Sequence, residues 1–144
     1  MDNIDIVIVE DNYHDVEMIL DALNESGIKS GFLIFRDGAE AVKHFFDPSG
    51  KFISEKLRLP KLILLDLKLP KINGMEVIKL LKSDDKTKYI PVVVFTSSNE
   101  ARDRMESYKL GVNSYLVKPL DADQFAKQIR DIMDYWLILN INVD

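Results

Sequence analysis

Apolar and polar positions along this chain follow two alternating rhythms. Ile4 to Val9 is an apolar, mostly β-branched run broken only by Asp5, and it ends at Glu10-Asp11; this is the pattern of a buried strand. From Tyr13 to Ser26, Val16, Ile19, Leu20 and Leu23 recur at helical spacing, and Gly27 can terminate the helix. Phe32-Leu33-Ile34-Phe35 predicts a second strand, and Asp37-Gly38 leads into a helix with Val42, Phe45 and Phe46 on one side. Leu62-Ile63-Leu64-Leu65 is a strand buried on both faces that stops at Asp66, because Pro70 and Asn73-Gly74 cannot continue a central strand. Val77, Leu80 and Leu81 suggest a third helix ended by Ser83-Asp84-Asp85, and Ile90 to Phe95 a fourth strand closing at Thr96-Ser97-Ser98. Asn99 to Lys109 reads as a polar helix with only Ala101, Met105 and Tyr108 available to face a core, so it should pack lightly, ending at Gly111. Val112 to Val117 is a short fifth strand closing at Lys118-Pro119, and Phe125, Ile129, Ile132, Met133 and Trp136 form the face of a last helix over about 121–140.

Strands alternating with helices in this way predict an α/β fold: a doubly wound, five-stranded parallel sheet with helices on both faces. The economical winding is strand order 2-1-3-4-5, the flavodoxin-like pattern. In that order strands 1, 3, 4 and 5 are neighbours, and their C-terminal ends carry Glu10 and Asp11, Asp66, Thr96, and Lys118. One stretch breaks the rhythm. Residues 47–60, between helix 2 and strand 3, make a connection longer than the usual handful of residues, which suggests a surface insertion covering something apolar.

Length and charge narrow the reading. At 144 residues the chain is the size of a single domain, 1–144, with no room for an attached effector. A net charge of −5 without a Lys/Arg cluster gives no nucleic-acid footprint. There is no cysteine, so disulfides and thiolate metal sites are excluded. The start Met1-Asp2-Asn3-Ile4-Asp5 lacks the basic and apolar regions of a signal peptide, and no apolar run reaches bilayer length. The expectation is a soluble cytoplasmic protein without membrane contact.

The converging strand ends suggest a chemistry. Crowded carboxylates repel one another and need a counter-charge, and an all-oxygen set points to a hard cation, Mg²⁺ being the most plausible. Glu10 and Asp11 would hold it, helped by Asp66 and the backbone carbonyl of Lys68. A metal together with the Lys118 ammonium can neutralise a moving phosphoryl group, with Asp66 as nucleophile. The Thr96 hydroxyl could donate to a phosphoryl oxygen on Asp66, and Tyr115 could fill the space freed behind Thr96 by rotating inward, making the pair a two-state switch.

These residues carry a family resemblance. Val9-Glu10-Asp11-Asn12, Leu64 to Pro70 with Asn73-Gly74, Phe95-Thr96-Ser97 and Gly111 to Pro119 together resemble the response regulator receiver domain of two-component signalling, of CheY-like fold, over essentially the whole chain. The resemblance implies that Glu10 and Asp11 are metal acids, that Asp66 is the phosphoacceptor, and that Thr96, Tyr115 and Lys118 are switch and phosphate contacts. It further implies that Lys68 and Ser98 flank the phosphate and tune its lifetime, that the Lys118–Pro119 bond is cis, and that a sensor histidine kinase is the partner. The 47–60 insertion, Glu10-Asp11-Asn12 with Asp15, and the tail Asp134 to Leu137 resemble the small stand-alone regulators that partner bacterial phytochromes. Val112 stands where alanine is common in the family, which bears only on local packing.

Two other functions fit these residues less well. An aspartate-nucleophile phosphatase for small molecules usually carries a second aspartate two residues after the nucleophile, where this chain has Lys68, and a flavin carrier would find its phosphate repelled by Glu10-Asp11. His14 and His44 lack any partner cluster and read as exposed helix residues. The apolar surplus of the tail reads either as core beneath the 47–60 insertion or as an interface; a homodimer through Tyr135, Trp136, Ile138 and Leu139 is the favoured form of the second. Singly, each site residue has an ordinary explanation, such as a helix-start acid or a solvated lysine. Their joint placement at matching strand ends is what argues for a site.

Overall fold

The computed structural model describes residues 4–53 and 58–143. Five parallel strands, β1 (Ile4–Val9), β2 (Gly31–Phe35), β3 (Leu62–Leu65), β4 (Val92–Thr96) and β5 (Ser114–Val117), form one sheet in the order β2-β1-β3-β4-β5. Between them lie α1 (Tyr13–Ser26), α2 (Gly38–Phe45), α3 (Gly74–Ser83) and α4 (Ala101–Leu110), and α5 (Ala122–Met133) closes the fold. The expected strand order and alternation are therefore present.

Side-chain alternation divides the core in two. Val7 and Val9 of β1, Ile63 and Leu65 of β3, and Val92 and Val94 of β4 pack with Ala41 and Phe45 of α2 and Val77, Ile78 and Leu81 of α3. Their neighbours Ile6, Ile8, Leu62, Leu64, Val93 and Phe95 point the other way, onto Ile19, Ala22 and Leu23 of α1 and Phe125, Ile129, Ile132 and Met133 of α5. Burial on both faces is why these strands read as continuous apolar runs. Asparagine or aspartate caps fix the entry of α1, α2, α3 and α5: the side chains of Asn12, Asp37, Asn73 and Asp121 each accept a backbone N–H from the first turn.

The described part of the long connection is a small self-closed turn. Asp47 N donates to Lys51 O, Ile53 N donates to Phe45 O, and Phe46 and Phe52 form an isolated antiparallel bridge. Phe52 and Leu59 pack against the α2–α3 side of the core, in keeping with an insertion that covers apolar surface. Residues 54–57 of this stretch lie outside the described residues.

Two helices depart from expectation. In α4, Ala101, Met105 and Tyr108 do not face a core; Met105 is 60% and Tyr108 51% exposed, and the residue turned inward is Ser107. Ser107 Oγ donates to Asp103 O, so the inward position is filled by a small hydroxyl that satisfies itself on its own helix. The last helix stays α-helical only to Met133 and continues as a π-helical segment, Asp134–Leu139, before ending at Asn140. Trp136 and Leu137 of that segment pack on the α1–α5 side of the core, whereas Tyr135, Ile138 and Leu139 remain exposed. Leu59 and Pro60 at the end of the insertion line a cleft together with Trp136 and Ile141 of the tail. His14 is exposed as expected, but His44 is half-buried between the rings of Phe35 and Phe45, and burial holds its imidazole below the ordinary value.

Candidate functional site

The C-terminal ends of β1, β3 and β5 bring Glu10, Asp66 and Lys118 together, and the start of α1 adds Asp15. Glu10 and Asp66 are almost fully buried. The Lys118 ammonium lies 2.6 Å from Glu10 Oε1, 2.7 Å from Asp15 Oδ2 and 2.8 Å from Asp66 Oδ2. The second Asp66 oxygen, Oδ1, accepts the backbone N–H of Lys68 at 3.2 Å. Asp66 is thereby held at both oxygens, by a cation on one side and a peptide dipole on the other.

The loop after β3 is held rigidly from outside. Pro70 O accepts the N–H of Gly38, and Gly74 N donates to Leu67 O. A Cβ at Gly38 would come within 1.7 Å of Ile72 O, and one at Gly74 within 2.5 Å of Asp66 O, so both positions demand glycine for close backbone approach. Lys71 takes a left-handed φ of 67°, and its ammonium sits 3.4 Å from the buried Asp37. The Glu40 N–H and then Lys71 hold the Asp37 carboxyl below its ordinary value.

The electrostatics are lopsided. One carboxylate oxygen each from Glu10, Asp11 and Asp66 lies within 4.8 Å of the others, and Asp15 adds a fourth acid against the Lys118 ammonium. Burial, and then the neighbouring Asp66, push the Glu10 carboxyl up to about 7 despite its contact with Lys118. Burial alone would lower the Lys118 ammonium, but hydrogen bonds to Asp15, Asp66 and Glu10 outweigh it and raise the value. An acid cluster that one ammonium leaves under-compensated, with only oxygen donors, fits a hard divalent cation.

Thr96 and Tyr115, expected from the sequence to form a switch, lie on the neighbouring strands β4 and β5. Thr96 is fully buried at the end of β4, and its Oγ1 accepts a long hydrogen bond from Ser98 N at 3.4 Å. Tyr115 is half-buried, and its hydroxyl donates to Ser98 O at 2.9 Å. The Ser98 hydroxyl donates to the Asp103 carboxylate and accepts the N–H of Glu100, so it fastens the start of α4. Lys68 is exposed, with Nζ 3.3 Å from Ser97 Oγ.

One expectation fails here. The Lys118–Pro119 bond is not cis; no peptide bond among the described residues is. The trans form of an X–Pro bond is favoured by roughly 0.5–1 kcal/mol unless a turn enforces the alternative. Asp15 was overlooked as a partner of Lys118 because 103 residues separate the two in the chain. The sequence signal was its position one helical turn after Glu10-Asp11, on the first turn of α1.

Comparison with known proteins agrees with this geometry. Residues 6–130 match the response regulator receiver domain family. The chain is 36% identical over 132 residues to the probable methanogenesis regulatory protein FilR2 of Methanothrix harundinacea, covering 92% of this chain and 83% of that one. It is 39% identical over 132 residues to the response regulator Rcp1 of Synechocystis sp., covering 92% and 88%. The Mn²⁺-bound structure of Rcp1 superposes with a TM-score of 0.83 over 96% of this chain and 98% of that one, at 36% identity. The phosphorylated cyanobacterial phytochrome response regulator RcpA superposes with a TM-score of 0.87 over 99% of both chains, at 35% identity. The chain belongs to the response regulator receiver domain family of two-component signalling proteins.

Proposed function

We propose that this chain is a receiver that accepts a phosphoryl group on Asp66 from a sensor histidine kinase of the phytochrome type and thereby switches a binding surface. The observation that carries the reading is the buried Asp66 carboxylate at a sheet edge, 2.8 Å from the Lys118 ammonium and grouped with Glu10 and Asp11. In the transfer, an Asp66 oxygen attacks phosphorus, the O–P bond forms as the P–N bond of a phosphohistidine breaks, and the electron pair leaves on the imidazole nitrogen. Hydrolysis returns inorganic phosphate and the free carboxylate. This self-limited chemistry is all the catalysis assigned to the protein.

Glu10, Asp11, Asp66 and the backbone carbonyl of Lys68 would hold Mg²⁺, which supplies charge neutralisation at the phosphoryl oxygens when bound. Lys118 contributes the fixed ammonium. Thr96 donates its hydroxyl to the new phosphoryl group, and Tyr115 follows it inward, exchanging its hydrogen bond to Ser98 O. Lys68 and Ser98 tune the lifetime of the phosphoryl group. RcpA supports the phytochrome assignment, since it is a phytochrome response regulator. The exposed Tyr135, Ile138 and Leu139 beside Trp136 support a homodimer through the tail. No described helix is long and apolar enough to cross a membrane, and we assign the protein to the cytoplasm, where it meets its kinase.

A small phosphodonor such as acetyl phosphate with Mg²⁺ should label the protein, and Asp66→Asn should abolish labelling. Undiminished labelling of Asp66→Asn, or none of the wild type, refutes the reading.

A further inference from the structure

An ammonium group has three protons to donate, and those of Lys118 are all directed at carboxylates: Glu10, Asp15 and Asp66, each within 2.8 Å. These three partners are not equivalent. Asp66 is the group that the proposed transfer modifies. Glu10 belongs, with Asp11 and Asp66, to the cluster whose oxygens approach one another within 4.8 Å, and Asp15 does not. Asp15 is thus the one partner of Lys118 that neither reacts nor sits in the acid cluster.

Asp15 is also well placed to be a fixed point. Its backbone N–H is bound by the Asn12 side chain at 2.9 Å, so the N-cap that starts α1 sets the position of its carboxylate. The Lys118 side chain is 9% exposed and that of Asp15 16%, so water competes little for their contact.

We infer that Asp15 is a positioning residue that holds the Lys118 ammonium at the acceptor oxygen of Asp66, so that α1 as well as the acid cluster fixes the lysine. The inference rests on the proposed phosphoryl transfer for its meaning but not for all of its test. It also carries an unusual sign. Asp15 is an anion beside a site that receives an anionic phosphoryl group, so as a mere bystander its removal would relieve repulsion and speed transfer. As the anchor of Lys118, its removal slows it.

The test compares Asp15→Ala and Asp15→Asn with the full-length wild type. In metal-free protein, the Lys118 side-chain ammonium should give a ¹⁵N NMR signal slowed in proton exchange by its three acceptors. Asp15→Ala should lose that signal with the backbone amide spectrum otherwise intact, and Asp15→Asn, which keeps an acceptor oxygen, should restore it in part. At saturating Mg²⁺ and acetyl phosphate, Asp15→Ala should label about tenfold more slowly, the scale expected for misplacing a stabilising group, and Asp15→Asn should recover much of that loss. Mg²⁺ affinity should stay the same in both.

Labelling of Asp15→Ala at the wild-type rate or faster overturns the inference, as does persistence of the Lys118 signal. A fall in Mg²⁺ affinity matching the fall in rate also overturns it, because Asp15 would then be a metal ligand. Should the wild type itself not label, the proposed function fails, and the anchoring of Lys118 by Asp15 is decided by the ammonium signal alone.

Discussion

Helices α4 and α5 stand on either side of β5 in the chain, and they are held in opposite ways. On α5, Phe125, Ile129, Ile132 and Met133 are all buried, and Phe125 meets Phe95 of β4 edge-on with ring centroids 5.0 Å apart. On α4 the buried residue is Ser107, while Met105 and Tyr108 face solvent. Leu110 packs on the core at the end of α4, but the start of the helix is fastened by polar contacts: Ser98 to Asp103 and to the N–H of Glu100, and Arg104 to Asn99. Apolar burial is lost only by exposing area to water, whereas hydrogen bonds can be exchanged for others at small net cost. By apolar burial, the helix that follows Thr96 is the more weakly held of the two, and the helix that follows Lys118 the more firmly held.

The largest effect should come from breaking the rigid side. Phe125→Ala is expected to cost about 3–5 kcal/mol in denaturant unfolding, as for a large aromatic removed from a packed core. A loss below 1 kcal/mol would show that α5 is not the anchor.

A smaller effect tests whether α4 answers to the charge of the site. Because Glu10 titrates near 7, proton and cation compete for it, and Mg²⁺ binding should weaken by up to about tenfold per pH unit below that point. Amide shifts in α4 should follow the same midpoint while those of α5 stay flat; equal responses would erase the contrast. The sign for stability is the reverse. The unfolded chain ionises Glu10 near its ordinary 4.5 and the folded one only near 7, so the metal-free protein should lose stability from this group as pH rises through that interval.

Smaller again is the polar latch. Asp103→Ala removes the acceptor of the Ser98 hydroxyl and should cost about 1 kcal/mol. Hydrogen exchange should quicken over Ala101–Leu110 and not over Ala122–Met133. The smallest change sharpens the comparison by its near absence: Met105→Ala or Tyr108→Ala should alter stability by less than about 0.5 kcal/mol.

The central strands β1, β3 and β4 were legible in the sequence because burial on both faces leaves apolar runs, and each run stops at a residue that enters the site or borders it. Glu10, Asp66 and Thr96 could be placed together for that reason alone. The light packing of α4 was legible in its polar sequence, but not the outward turn of Ala101, Met105 and Tyr108, because their i, i+4, i+7 spacing marks a face without saying which way it points. The inward Ser107 gives no hydrophobic signal at all. The π-helical turn at Asp134–Leu139 was hidden for the opposite reason, since Tyr135 to Leu139 is apolar all round and fixes no period. Asp15 and Gly38 depend on contacts distant in sequence, to Lys118 and Ile72, which periodicity along one strand or helix cannot reveal.

The turn joined by the Phe46–Phe52 bridge closes on its own hydrogen bonds, and a side chain at Gly50 would meet nothing within 4 Å. It lies at the C-terminal end of α2, which the chain reaches after leaving the sheet edge that carries the acids, so it sits at the opposite pole of the molecule. That makes it a natural grafting point: an affinity tag spliced between Ser49 and Gly50 could tether the protein to a sensor chip with its reactive edge facing the solution.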